Sequence, residues 1–310
     1  MKSRLLLLIL GILLSKNIIY GQISQYSYVI NPFSDCYVLD SAYFKATYSL
    51  SYLLDSTKID ERYEDRKILL IGNKMQHFYS YYNFLNDSAA TVLNSQNRNY
   101  GSLNFSDDVL YEAYEIYQDL QKNERSVVEY ITNYSCYRYF ESVETQQWVI
   151  HEDTAQILTF NCQKATCRFR GRNWIAWFSC EIPLNAGPWK LCGLPGLIMK
   201  AYDEKENYVF ECIGLKQMKN NKQAITSRKY YDKLNNTREE YLTAQRNFYE
   251  NYVNTILSMG LNVMIYDDNG QSIEELETPN KIFENKNISI VYPVYYKDRY
   301  RKIPYNPIEL

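Results

Sequence analysis

Three arginines, Arg168, Arg170 and Arg172, stand at alternate positions in the stretch RFRGRNWIAWF, and Trp174 and Trp177 follow at once. Guanidinium groups beside aromatic rings can hold a carboxylate, a phosphate or a sugar. Arg170, Arg172, Trp174 and Trp177, with Trp189 further along, are therefore the candidate ligand contacts. The competing reading is a hairpin whose arginines face water and whose tryptophans are core. Seven cysteines, Cys36, Cys136, Cys162, Cys167, Cys180, Cys192 and Cys212, form the second reactive set. A hairpin with a three-residue loop at Arg170-Gly171-Arg172 would set Cys162 opposite Cys180 and permit a disulfide, whereas a two-residue loop would slip the register and remove it. The odd number of cysteines leaves at least one thiol unpaired or paired between chains.

Other chemistry finds little footing. Cys162 and Cys167 have no second closely spaced pair, and two histidines are too few for a structural zinc site, so no metal is expected. No G-x-S-x-G, P-loop or dinucleotide fingerprint occurs, and no cofactor is expected. His77 reads as a strand histidine bonded to a neighbour. His151-Glu152-Asp153 reads as a polar turn between two strands rather than an acid/base cluster. Asp153, Glu181 and Asp203 are the carboxylates an enzyme reading would use, and no catalytic residue is assigned.

The elements that must position these residues are mostly strands. Tyr43 to Leu54 alternates apolar and polar side chains, and KILLI and KMQHFYSYY flank a Gly72-Asn73 turn. Ser106 to Lys122 carries a helical stripe of Leu110, Ala113, Tyr114, Tyr117 and Leu120, with Ser106 as cap. A series of short strands follows: RSVVEYIT, YSCYRYFES, QQWVIH, QILTFNCQKATCRF, NWIAWFSCEI, LIMKAY and YVFECIGL. A second helix is expected from Thr237 to Met259, with Asn236 and Glu239 resembling a capping box and Gly260 ending it. LNVMIY and ISIVYPVYY are further strands. This order argues for an α+β fold, mainly antiparallel: a curved meander sheet or half-barrel covered by one or two helices.

Lys2 and Arg4 before the apolar run Leu5 to Leu14 read as a signal peptide cleaved after about Gly21, so residues 22–310 form the expected single β-rich domain. The run is about half the ~20 residues a membrane span requires. A chain end without an aromatic strand, and helices between the strands, argue against an outer-membrane barrel. With 34 basic against 36 acidic residues, no broad attraction to nucleic acid arises. The 32 tyrosines suit strands in which a ring is half buried and its hydroxyl stays wet.

GPWKLCGLPGLI, Gly187 to Ile198, reads as a pair of turns. Gly187-Pro188 releases Trp189 inward, Gly193 and Leu194 lead on, and Pro195-Gly196 fills the centre of a type II turn in which Gly196 takes a positive φ. With GPWKLCGLPGLIMKAYD, YSLSYLLDSTKIDERYEDRKILLIGNKMQHFYS, ILTFNCQKATCRFRGRNWIAWFSCEIPLNAGPWK, TREEYLTAQRNFYENY and YNPIEL in view, the chain resembles the GLPGLI family of exported bacterial proteins, found mainly in Bacteroidetes. The resemblance implies export to the cell envelope and a β-rich fold, and it carries over no catalytic residue. The strand pattern is also similar to the half-open sheet of periplasmic lipoprotein carriers. The resulting expectation is a periplasmic binding or carrier module for a hydrophobic or peptide ligand. The alternative is a non-enzymatic accessory docked on an outer-membrane, importer-type assembly.

Overall fold

The computed structural model describes residues 35–96, 114–132, 135–251, 263–266, 272–276, 292–294 and 306–309. Chain contacts define two compact units, one of residues 25–252 with 301–310 and one of residues 1–24 with 253–300. In the second unit the described residues form a three-stranded sheet of β14 (Val263–Tyr266), β15 (Ser272–Leu276) and β16 (Tyr292–Val294).

The first unit is built on an open eleven-stranded sheet in which every neighbouring pair is antiparallel. The chain leaves the middle through β2 (Phe44–Leu53), β3 (Arg62–Ile71), β4 (Met75–Ser80), β5 (Glu115–Asp119), β6 (Glu124–Thr132) and the edge strand β7 (Ser135–Ser142). It then starts again at the opposite edge with β8 (Val149–Ile157). From there it returns through β9 (Phe160–Phe169), β10 (Arg172–Ser179) and β11 (Leu197–Asp203) to β12 (Tyr208–Gln217), which pairs with β2. A separate ribbon joins β1 (Cys36–Ala42) to β13 (Gln223–Arg228). The sheet curves strongly: Glu141 on edge strand β7 meets Arg170, in the turn between β9 and β10, at 3.1 Å.

Alternation makes the core. Tyr48, Phe78, Phe210, Trp174 and Trp189 point to one face and form a chain of ring contacts with centroids 5.5–6.4 Å apart. The centre of the sheet is buried on its other face too, where Ile68, Leu70 and Tyr79 pack with Ala42 and Ile225 of the β1–β13 ribbon. Helix α1 (Tyr81–Ser95) lies against β3 and β4, and helix α2 (Arg238–Glu250) against β6 and β7, where Tyr241 stacks on Tyr139 at 5.8 Å. The architecture is thus the expected α+β, mainly antiparallel sheet with helical cover. Among the described residues no helix is long and apolar enough to cross a membrane.

Several local expectations are corrected. Glu115 to Asp119 is a strand, not the end of a helix; Glu115 and Tyr117 pair with Tyr79 and His77 of β4, and that ladder outweighs the helical spacing of Tyr114, Tyr117 and Leu120. Residues 106–113 of that expected helix lie outside the described residues. The run read as one strand through Tyr82 breaks at Ser80, whose side chain accepts a hydrogen bond from Asn83 N and starts α1. The cap of α2 is Thr237 with Glu240, one residue beyond the expected Asn236 with Glu239, because the reciprocal bonds form at that spacing. The expected end of that helix at Gly260 lies outside the described residues. His151 to Asp153 is a bulge inside edge strand β8 rather than a turn, and the real turn comes at Leu158, where φ is 53°.

Candidate functional site

The arginine and tryptophan stretch folds as a hairpin with a two-residue turn. Arg170 and Gly171 both take positive φ, 49° and 82°, which matches the twist of the flanking strands. Phe169 therefore pairs with Arg172 and Gln163 with Phe178, so Cys162 does not face Cys180. Cys162 is buried, Cys180 is exposed and both thiols are free, which replaces the expected disulfide. The open guanidinium face is corrected as well. Arg172 is 4% exposed and binds Asp203 at 2.9 Å, and Arg170 binds Glu141 and Glu144 at 3.1 and 3.3 Å. Trp174 and Trp189 are core, and of the five candidate contacts only Trp177 keeps a partly exposed ring outside this ion-pairing.

The GPWKLCGLPGLI corner is buried: Trp189 is 4% and Leu194 3% exposed. It is fastened from outside, since Trp148 Nε1 donates to the Cys192 carbonyl at 2.7 Å and Gln146 Oε1 accepts from Cys192 N at 2.8 Å. The positive φ falls on Gly193, at 93°, and on Trp189, at 54°; Gly196 is not in that region, so the expected type II turn is absent. Glycine is required at 196 for a different reason. A Cβ there would collide with the Ser179 carbonyl, standing 2.5 Å from its carbon. Gly187 is fixed in the same way, because a Cβ would lie 2.7 Å from both Ile198 Cδ1 and the Leu191 carbonyl oxygen. Pro188 opens the turn, with its carbonyl accepting from Leu191 N at 3.1 Å.

A cluster of perturbed titratable groups lies elsewhere, between the sheet and the β1–β13 ribbon. His77 Nε2 is 3.1 Å from Glu115 Oε2, and the Tyr117 hydroxyl donates to the same oxygen at 2.6 Å. Arg228 Nη1 donates to Glu115 Oε1 at 2.6 Å while its Nη2 binds Asp87 of α1. Tyr231 donates to Glu115 Oε1 at 2.8 Å and is joined by Tyr130. Burial alone would raise Glu115, but the Arg228 charge and the hydrogen bonds of His77 and Tyr117 hold it well below the usual carboxylate range. Burial lowers His77 and keeps it neutral against the pull of Glu115. A His–Glu–Tyr group has the parts of a proton-transfer site. Its cavity is only about 30 Å³, however, enough for a water or two, and Arg228 already binds both carboxylates. Glu115, Asp87 and Arg228 carry little local sign of this role in the sequence; the one signal is Asp87 falling between Phe84 and Ala90 on the apolar face of α1.

The other carboxylates and histidine do not converge. Asp153 is 3.7 Å from Lys164, Glu181 accepts from Asn161 N at 2.8 Å, and His151 meets Thr166 Oγ1 at 2.8 Å. Among the described residues no group of three or more His, Cys, Asp or Glu side chains is placed to hold a metal ion.

A groove of about 600 Å³ lies open on the face of β10, β11 and β12 away from the aromatic core. Trp177 and Tyr202 supply its aromatic surface, and Leu158 at the β8–β9 turn and Ile213 of β12, 48% and 47% exposed, supply its apolar rim. Lys200 and Glu211 pair across its floor at 2.8 Å. Its size is that of small-ligand and peptide sites.

An open, curved antiparallel sheet with an aromatic core on one face and an exterior aromatic groove is the class of molecule these features define. Within it, the chain belongs to the family described as N-glycanase peptide, N-terminal domain, whose model matches residues 82–239. Two solved structures of PNGF-II, in different space groups, are similar at 13% sequence identity with TM-scores of 0.43 and 0.42. They match 68% and 66% of this chain and 34% and 33% of their own, so the chain spans about a third of the length of these structures. No curated protein matches the chain.

Proposed function

We propose that the chain is an exported binding domain, without a reaction of its own, that holds a glycan-bearing peptide along the Trp177–Tyr202 groove. The observation that carries this reading is the contrast between the tryptophans: Trp174 and Trp189 are spent in the core, while Trp177 stands partly exposed in the open groove. Aromatic faces suit the apolar faces of sugar rings, Leu158 and Ile213 suit a peptide's side chains, and Lys200 with Glu211 offers hydrogen bonds to hydroxyls. Family membership supports the glycan part, since the family is named for an N-glycanase. The likeness to the GLPGLI family and the basic-then-apolar start support export and a periplasmic or secreted setting.

The test is calorimetric titration with an N-glycosylated peptide and with the same peptide bare. The glycosylated form is expected to bind, and Trp177→Ala to weaken it about 30-fold, the loss of a ~2 kcal/mol aromatic anchor. Equal binding of both peptides, or none of either, would overturn the reading.

A further inference from the structure

Arg172, Lys190 and Arg238 converge on four residues from the far end of the chain, Asn306 to Glu309. The Arg172 guanidinium donates to Asn306 Oδ1 at 2.9 Å, to the Ile308 carbonyl at 3.0 Å and to the Pro307 carbonyl, and Asp203 holds it from behind. The Tyr208 hydroxyl donates to the Asn306 carbonyl at 2.7 Å, and Asn306 Nδ2 donates to the Leu53 carbonyl at 2.6 Å. Glu309 is 7% exposed, with Lys190 on one oxygen and both Nε, at 2.8 Å, and Nη2 of Arg238 on the other. Lys190 itself is fully buried in the GPWKLCGLPGLI corner, 3.0 Å from Glu141.

These contacts differ from ordinary core packing. One planar guanidinium reads two main-chain carbonyls and a side-chain amide in series, and a separate pair of cations reads one carboxylate three residues later. Backbone carbonyls, a side-chain amide and a carboxylate are the groups by which a receptor reads a short peptide. The tail brings no strand to the sheet, and residues 252–305 separate it in sequence from α2.

We propose that the surface formed by Arg172, Lys190, Arg238 and Tyr208 is a peptide-binding slot specific for an Asn-Pro-x-Glu sequence, occupied in cis by the chain's own end. The slot latches the chain after residue 305.

In the full chain, a protease site introduced between Arg301 and Tyr305 and cut after folding makes the slot measurable. The severed tail is expected to stay bound through gel filtration, and a labelled peptide of residues 305–310 to exchange into the slot once the tail is washed out. The same peptide carrying Glu309→Gln should bind on the order of 100-fold more weakly, since it removes the carboxylate that Lys190 and Arg238 both grip and leaves them only Glu141. A cut chain that stays folded but takes up no peptide, or takes up both peptides equally, overturns the proposal. Should the cut chain unfold, carboxypeptidase digestion of the uncut chain decides. Trimming past Glu309 is expected to be slow in the wild type and at least ten times faster in Glu309→Gln, and equal rates overturn it.

Discussion

Gly196→Ala separates two explanations of the corner that carries GLPGLI. If glycine were needed there for a positive φ, alanine would cost about 1–3 kcal/mol of backbone strain. The structure assigns the cost to collision instead: the new Cβ would strike the Ser179 carbonyl and sit 2.9 Å from Cys180 N. That carbonyl accepts from Ile182 N at 3.3 Å, and the Ile182 carbonyl accepts from Leu197 N at 2.9 Å, so displacing Ser179 loosens both bonds at the start of β11. Overpacking costs about 1–3 kcal/mol and each weakened bond about 0.5–1.5, for a total near 4 kcal/mol. Gly193→Ala is the control: φ is 93° there, but the nearest atom to a Cβ is Thr145 Cγ2 at an ordinary 3.5 Å, so only strain of about 2 kcal/mol applies. Urea unfolding reads the difference. With a slope of about 3 kcal/mol per molar, Gly196→Ala should lower the midpoint by ~1.3 M and Gly193→Ala by roughly half that, with unchanged slopes. A Gly196→Ala midpoint within 0.3 M of the wild type, on the order of 1 kcal/mol, or a reversed order of the two variants, would refute the steric account.

Acid should destabilise the protein in two stages. Neutral His77 has a folded pKa below its unfolded value of about 6.5, so the unfolded state binds more protons there and stability falls as the pH drops below that point. Burial opposes but does not prevent the lowering of Glu115 by Arg228 and of Glu309 by Lys190 and Arg238, and their contribution is lost only as the pH falls below about 4.3. Urea midpoints from pH 8 to 3 check this, and His77→Gln should remove the first stage; a wild-type midpoint flat between pH 7 and 5 would contradict it. Burial also pushes the Cys162 and Cys212 thiols up to about 11 and Cys167 to about 12, while Cys180 is exposed. Iodoacetamide at pH 8 should therefore label Cys180 in the native protein and the other three only after denaturation, as read by peptide mass spectrometry; comparable native labelling of Cys162 would count against the assigned burial.

What was legible in the sequence was whatever depended on one strand's own pattern. Phe44 to Tyr52 alternates without interruption, and its inward residues Ala46, Tyr48, Leu50 and Tyr52 are all buried. The pattern is ambiguous where two periods fit the same residues. Tyr114, Tyr117 and Leu120 are spaced for a helix, but Glu115, Tyr117 and Asp119 are equally spaced for a strand, and only the available partners β4 and β6 decide between them. Phe169 to Arg172 shows the same limit in a turn. Whether two or three residues loop out depends on Arg170 tolerating a positive φ, and that single residue moves every cross-strand partner, including the expected cysteine pair.

The site residues were less legible because their partners come from distant sequence. Arg172 stands beside Trp174 in the sequence, yet what it binds is Asp203 on β11, 31 positions away, and Asn306 to Ile308, 134 to 136 positions away. An arginine in an alternating run carries no local sign of facing inward, since a charge is buried only when carboxylates or carbonyls elsewhere compensate it. The same reasoning applies to Lys190, which lies inside the most glycine-rich motif of the chain and is fully buried against Glu141 and Glu309. The GPWKLCGLPGLI motif thus has two separable requirements: Gly187 and Gly196 must lack side chains for the corner to close, and Lys190 must keep its charge for the corner to hold the tail. A Lys190→Met variant should therefore leave the glycine-dependent turn intact while leaving Glu309 with Arg238 alone.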